Sequence, residues 1–260
     1  EAVWIPVDEF GVIDLDWLAQ FLAERSDEVA FISLMCANNE TGVITPIHLV
    51  TELAKRFDIP VHSDAVAALG HIPLSFAQSG LAAMSITAHK VGGPVGVGAL
   101  VVARSVKLTS LVHGGGQERG LRPGTVPVAL VAGLGEASRL ALLEHEDRWV
   151  AGKKTEKIVV DLVKKAGGVI NGDRANAIPF IVNASFPGLD SEAFIVATKS
   201  LIAISNGAAC SSHAYERSHV LLAMGIEDRL VGSAIRFSFG HDSTFEGSDE
   251  LVSKIESVRF

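Results

Sequence analysis

A chain of 260 residues with 48% hydrophobic residues and 25 glycines can bury a sizeable core as one large or two smaller domains, which excludes a peptide scaffold. Its net charge of -8, with the two signs interspersed, excludes nucleic acid as a direct electrostatic partner, because phosphate binding draws on clustered Lys and Arg. The two cysteines, Cys36 and Cys210, exclude a disulfide framework and offer no CxxC metal pair.

In chain order, the apolar periodicity predicts a helix over 14–25, a strand over 29–36, a helix over 46–57 and a strand over 59–63. Thr45 is expected as the N-cap of the second helix, with Pro46 in its first turn. Strands over 84–88 and 97–103 flank a Gly-rich loop, so residues 1–140 read as a cofactor-binding α/β domain with a mostly parallel sheet. A long amphipathic helix over 129–146 continues, after a break, into 153–165, and the domain boundary is placed near residue 140. Residues 141–260 then read as a smaller α+β domain. Its strands are expected over 180–184, 201–205 and 235–239, and its helices over 191–199, 218–224 and 247–258. Every apolar run is interrupted well before the roughly 20 residues that span a bilayer, so no membrane partner is expected. No basic region followed by an apolar segment opens the chain, and a cytoplasmic protein is the default.

The chemistry concentrates in a few places. Ser85-Ile86-Thr87-Ala88-His89-Lys90-Val91-Gly92-Gly93-Pro94 puts one lysine after a β-rich apolar run and directly before a Gly/Pro loop. A partly desolvated lysine there can form a Schiff base with an aldehyde-bearing cofactor. Upstream, Ile59-Pro60-Val61-His62-Ser63-Asp64 reads as a buried strand ending in an acid, and the carboxyl end of a parallel strand faces the crevice where α/β proteins bind ligands. Asp64 can equally cap the helix that follows. Cys36 sits in an apolar run as a small buried hydrophobe, whereas Cys210 lies among small and polar neighbours, Ser205 to Ala209 and Ser211 to His213. That setting predicts an accessible loop on which a thiolate can form and react.

Six ordered segments carry a family resemblance: Ala37-Asn38-Asn39-Glu40-Thr41-Gly42, His62-Ser63-Asp64-Ala65, Thr87-Ala88-His89-Lys90, the glycine-rich run from Gly114 to Thr125, Asn206-Gly207-Ala208-Ala209-Cys210-Ser211, and Ala234-Ile235-Arg236-Phe237-Ser238. In that order and spacing the sequence resembles the NifS-like cysteine desulfurases and selenocysteine lyases, a branch of the class V aminotransferase group of pyridoxal-phosphate enzymes. The resemblance implies the type I fold of pyridoxal-phosphate transferases: an α/β domain with a mostly parallel sheet flanked by helices, and a smaller C-terminal α+β domain carrying the cysteine loop. It implies pyridoxal 5'-phosphate as cofactor, with Lys90 as its covalent partner and proton-transfer base and Asp64 on its ring nitrogen. Thr87 and His89 are expected near the phosphate, and Asn39 near the phenolic oxygen or the substrate. Arg236 is expected to bind the substrate α-carboxylate through a bidentate pair. Thr125 would reach the cofactor phosphate of a neighbouring subunit, which implies a homodimer. L-cysteine would leave its sulfur on Cys210 as a persulfide for a sulfur-acceptor protein, and L-alanine would be released. A selenocysteine lyase, a class V enzyme that does not use Cys210, and a non-catalytic truncated paralogue serving as an interaction subunit are the alternatives.

The sequence departs from the family pattern twice. Ala67 stands where relatives carry a glutamine that hydrogen-bonds the phenolic oxygen, so one tuning bond is expected to be missing. The chain also opens at a point matching the middle of the family's large domain, without counterparts of its phosphate loop and ring-stacking histidine. A truncated, processed or partial chain is therefore expected.

Overall fold

The computed structural model describes residues 1–206, 217–245 and 248–259, which form two compact units. One comprises Phe21–Cys36 and Pro46–His145; the other comprises Glu1–Gln20, Ala37–Thr45 and Glu146–Phe260. Helix α1 (Leu15–Arg25) starts in the second and ends in the first.

The first unit holds a four-stranded sheet in the order β1 (Ile32–Met35), β2 (Val61–Asp64), β3 (Ala83–Thr87), β4 (Gly98–Val102). The first three strands run parallel and β4 runs antiparallel to β3. Connection length explains the change of direction. Helices α2 (Ile47–Lys55) and α3 (Phe76–Ser79) lie in the two parallel crossovers, whereas a Gly/Pro loop alone joins β3 to β4. Alternation along β2 buries Val61 and Ser63 and leaves His62 and Asp64 half-buried on the opposite face. Helix α2 packs against β2 and buries Val50, Thr51 and Ala54.

The expected cap of α2 is corrected by the structure. The helix begins at Ile47, Pro46 occupies the N-cap position, and no side chain caps the end. Pro46 O instead accepts the N–H groups of Leu49 and Val50, so Thr45 has no capping role. At the other end Asp58 adopts a left-handed backbone (φ 55) and Ile59 N–H returns to Ala54 O at 3.1 Å, closing the helix before the predicted residue 57. The break expected between 146 and 153 lies earlier, at Glu144, between α4 (Val128–Leu143) and α5 (His145–Lys165).

Cys36 follows β1 directly and is buried, with its N–H donating to Asp64 O at 2.8 Å. Burial pushes its thiol up to about 11, and the Asp64 carboxylate adds to the shift. A thiol held neutral in this way is a core side chain, as the sequence implies. Native protein at neutral pH is expected to leave Cys36 unmodified by iodoacetamide, and Cys36→Ser should lower stability by about 1–3 kcal/mol through a buried hydroxyl. Urea unfolding midpoints measure that loss. Because the folded thiol ionises later than the unfolded one, its contribution is complete below about pH 9 and is lost as pH rises toward 11.

The second unit is built on a three-stranded antiparallel sheet, β5 (Val169–Asn171), β6 (Ile181–Ser185), β7 (Ala234–Ser238), in that order. Helices α5, α6 (Ser191–Thr198) and α9 (Ser248–Ser257) share one apolar core with it. Val159, Val163, Val182, Phe186, Phe194, Ile235, Phe237 and Ile255 are all buried there. Helix α6 starts where Asp190 accepts the N–H groups of Glu192 and Ala193, both at 3.0 Å. Two shorter helices, α7 (His219–Ala223) and α8 (Asp228–Val231), place Leu221, Met224 and Val231 in a smaller cluster with Ala234. Arg174 ties several segments of this unit together. It pairs with the buried Glu156 of α5 and donates to Thr41 O (3.1 Å), Ile181 O (2.8 Å) and Ile178 O (3.1 Å).

The strand predicted over 201–205 does not form. Thr198 O takes the N–H groups of Leu201 (2.8 Å) and Ile202 (3.0 Å), so the apolar run finishes α6 instead of entering a ladder. Only Ser205 pairs, in an isolated antiparallel bridge to Arg236.

Candidate active site

The carboxyl ends of β2 and β3 carry the first set of predicted residues. Asp64 ends β2 and pairs in register with Met35 of β1 and Ser85 of β3. Its Oδ1 accepts Val66 N–H at 2.8 Å, so the predicted strand-end acid also organises the turn that follows. The two readings of Asp64 are compatible, since a carboxylate has a second oxygen and further lone pairs. Two residues earlier on the same face, His62 bridges adjacent strands: Nδ1 lies 2.9 Å from Ser33 Oγ and Nε2 lies 2.9 Å from Ser85 Oγ.

Beyond β3 the chain turns through the glycine-rich loop. Ala88 O accepts the N–H groups of Val91 (3.0 Å) and Gly93 (2.9 Å), and Val91 is buried with Ala137 and Ala141 of α4. The turn needs glycine for two reasons. Gly92 has φ +90, and a Cβ on Gly93 would stand 3.0 Å from both the Cβ and the carbonyl oxygen of Ala88. Lys90 is thereby held between two buried neighbours, Ala88 and Val91. The lysine itself is exposed, so the partial desolvation expected from the sequence is not observed. Thr87 Oγ1 donates to Val97 O at 3.2 Å and lies 3.0 Å from His89 Nδ1. With the single hydroxyl proton on Val97 O, His89 Nδ1–H donates to Thr87, and the threonine hydroxyl links its strand end to the imidazole.

Asn39 and Arg236 lie in the other unit, and the structure brings them together. Arg236 stands on β7 opposite Asn183, on the strand face away from Ile235 and Phe237, and its Nη1 donates to Asn39 O at 3.0 Å. Asn39 sits in a turn made by its neighbour: Asn38 Oδ1 accepts the N–H groups of Glu40 (2.8 Å) and Thr41 (3.0 Å). An Asx turn therefore forms on Asn38, leaving the Asn39 side chain outside those bonds. Thr125 is exposed, at the end of a loop in which Gln117 Oε1 accepts Gly124 N–H at 3.2 Å. Cys210 lies outside the described residues.

The residues present fit pyridoxal phosphate by the chemistry of their donors. Asp64 supplies a carboxylate at a strand end, Lys90 an amine in the next strand-end loop, and Thr87 and His89 a hydroxyl and an imidazole three residues and one residue before it. Ala67 adds no side-chain donor; its carbonyl accepts His71 Nδ1–H at 3.0 Å. Sequence reasoning passed over Glu40 and Ser218, a buried carboxylate and the hydroxyl that bonds it. The available signal was the acid inside the Asn38-Asn39-Glu40-Thr41-Gly42 segment.

The chain is similar to several known proteins along its whole length. The mitochondrial cysteine desulfurase of Arabidopsis thaliana is 37% identical over 268 residues, covering 100% of this chain and 58% of the relative. A cysteine desulfurase IscS of Dictyoglomus turgidum is 37% identical over 267 residues, covering 99% of this chain and 66% of the relative. The chain thus spans about three-fifths to two-thirds of the length of these curated relatives. A solved structure described as a NifS-like protein superposes with a TM-score of 0.85 at 34% identity, covering 98% of this chain and 67% of that one. The aminotransferase class-V family model matches residues 1–251, and the chain belongs to that family.

Proposed function

We propose that the protein of which this chain forms part is a pyridoxal-phosphate-dependent cysteine desulfurase. The observation that carries the reading is Asp64 at the carboxyl end of β2 and Lys90 in the loop that follows the neighbouring parallel strand β3, in a chain whose relatives are named cysteine desulfurases. When bound, the cofactor supplies an electron sink at the substrate Cα. Asp64 would hold the proton of its ring nitrogen, Thr87 and His89 would meet its phosphate, and Asn39 would meet the phenolic oxygen or the substrate. Lys90 is the covalent attachment point and moves the proton at Cα. Arg236 orients the substrate α-carboxylate. The Cys210 thiolate attacks the substrate sulfur; the C–S bond breaks, an S–S bond forms, and alanine leaves with the carbon skeleton. The balance is one cysteine and one protein thiol giving one alanine and one persulfide, which a sulfur-acceptor protein then receives.

Homodimerisation is part of the same proposal. Leu111 is 95% exposed on the glycine-rich loop that leads to Thr125, and Val112, Val128, Leu142 and Leu143 are also exposed in this unit. Apolar exposure on that scale is what an interface covers. No helix among the described residues is long and apolar enough to cross a membrane. The cytoplasm is the proposed compartment.

The deciding experiment gives full-length protein pyridoxal phosphate and L-cysteine and measures alanine and sulfide. Stoichiometric alanine supports the desulfurase; turnover of selenocysteine alone assigns the lyase; and absence of both, with no visible cofactor band, assigns a non-catalytic subunit. Within the first outcome, Arg236→Lys should keep the cofactor band and lower kcat/KM for cysteine by about ten- to a hundredfold, because an ammonium cannot reproduce the planar fork. Unchanged kinetic constants would remove Arg236 from the substrate site.

A further inference from the structure

Every N–H of the Arg174 guanidinium is used. Nε donates to Glu156 Oε1 at 2.9 Å, Nη2 donates to the same oxygen and to Ile178 O at 3.1 Å, and Nη1 gives one proton to Thr41 O at 3.1 Å and the other to Ile181 O at 2.8 Å. A guanidinium has only donors to offer, and here all of them are matched by protein oxygens. Glu156 is 7% exposed and also pairs with Lys153 Nζ at 2.8 Å, so the arginine is oriented by a buried carboxylate rather than by solvent.

The two carbonyls that share Nη1 belong to segments that meet at Arg236. Ile181 opens β6, the strand that pairs with β7 and sets Asn183 opposite Arg236. Thr41 belongs to the 38–42 turn, whose Asn39 O accepts Arg236 Nη1 at 3.0 Å. One nitrogen of Arg174 therefore clamps that turn to the strand beside β7. The turn has other tethers, since Ile178 N–H donates to Gly42 O at 2.9 Å and Ser218 Oγ donates to Glu40 Oε2 at 2.5 Å. Losing the clamp would loosen the turn without releasing it. A planar guanidinium bonded at one corner to a carbonyl points its remaining donors in set directions, so the place of Asn39 O decides where the fork of Arg236 is aimed.

We propose that Arg174 is a positioning residue for Arg236. By holding Thr41 O against β6 it fixes Asn39 O, and with it the angle at which the Arg236 fork meets the α-carboxylate of an amino-acid substrate. The proposal rests on the reading of Arg236 as the carboxylate residue, and Arg174 itself touches no substrate.

Titrating the cofactor band of the full-length protein with two ligands tests it: L-alanine, and ethylamine, which has the same amine and carbon frame without the carboxylate. Arg174→Lys keeps a cation beside Glu156 but has fewer donors and no planar fork, so it cannot hold both carbonyls from one group. It should weaken L-alanine binding by about tenfold or more and raise KM for cysteine to match, while ethylamine affinity and kcat stay within about threefold of wild type. Glu156→Gln keeps an oxygen that accepts from Arg174. It should lower the urea unfolding midpoint yet leave the ratio of the two affinities within about threefold of wild type, which separates fold stability from positioning. Should Arg174→Lys fail to fold, Arg174→Met combined with Glu156→Gln, which leaves no buried carboxylate unpaired, takes its place with the same expected loss. Equal weakening of both ligands by the Arg174 variant, or of neither, would overturn the proposal. The same titration of Arg236→Lys keeps two failures apart. An unchanged ratio there overturns the reading of Arg236 and this proposal with it, whereas a collapsed ratio there beside a wild-type ratio in Arg174→Lys removes Arg174 alone.

Discussion

Cys210→Ser in the full-length protein should bring sulfur transfer to background while leaving the visible cofactor band and its response to cysteine in place. The proposed cofactor residues Asp64, Thr87, His89 and Lys90 and the proposed substrate residue Arg236 are untouched by the change. Serine fails for two separable reasons. Its hydroxyl is scarcely ionised at neutral pH and is a poor nucleophile toward sulfur, and an oxygen cannot store the atom as a persulfide. The loss is therefore complete rather than graded. Mass spectrometry of wild type after one turnover should find one added sulfur on the peptide holding Cys210 and none on the peptide holding Cys36, whose thiol is buried and held protonated. Alanine released at the wild-type rate by Cys210→Ser would sink the persulfide route and favour a lyase that uses Lys90 alone.

Lys90→Ala should have the other large effect. Loss of general acid–base catalysis by one positioned group costs about 10²–10⁴ in rate, and this lysine is also the proposed covalent attachment point. The variant should lose cysteine turnover to at least that extent and bind the cofactor only without a covalent bond. Borohydride treatment of wild type should fix the cofactor to the peptide containing Lys90, and the same treatment of Lys90→Ala should label nothing. A label elsewhere would remove Lys90 from the centre of the site. The exposure of Lys90 does not weaken this expectation, since Ala88 and Val91 are buried on either side and fix where the lysine emerges.

The elements legible in the sequence are those whose apolar pattern is long or bounded by strong punctuation. Helix α1, the strands β2, β3 and β7, and the first half of the long helix fall within a few residues of expectation, and the second half ends where expected but starts eight residues earlier. The run 201–205 misled because an apolar stretch after a helix reads alike whether it starts a strand or completes the helix; the bonds of Leu201 and Ile202 to Thr198 O decide it. Strand β5 has only three residues, too few for alternation to register. In the site, Asp64 and Lys90 were legible because each ends an apolar run. The substrate role proposed for Arg236 comes only from the family resemblance. Its bond to Asn39 O joins residues 197 positions apart, and no local pattern encodes such a contact. Glu40 was obscured for the same reason, since its partner Ser218 lies 178 residues away.

Ser33 and Ser85 hold the two ring nitrogens of His62 from either side, and each hydroxyl is a rotor that can point its proton toward the imidazole or away from it. In either tautomer one serine donates while the other accepts, and with both nitrogens protonated both serines accept. The row is thus indifferent to proton count. An amide side chain in place of His62 would have one fixed donor end and one fixed acceptor end, and would impose a single direction on both rotors. Across β1, β2 and β3, one pleat before Asp64, two turning hydroxyls can thus serve either tautomer of the ring with the same bonding partners.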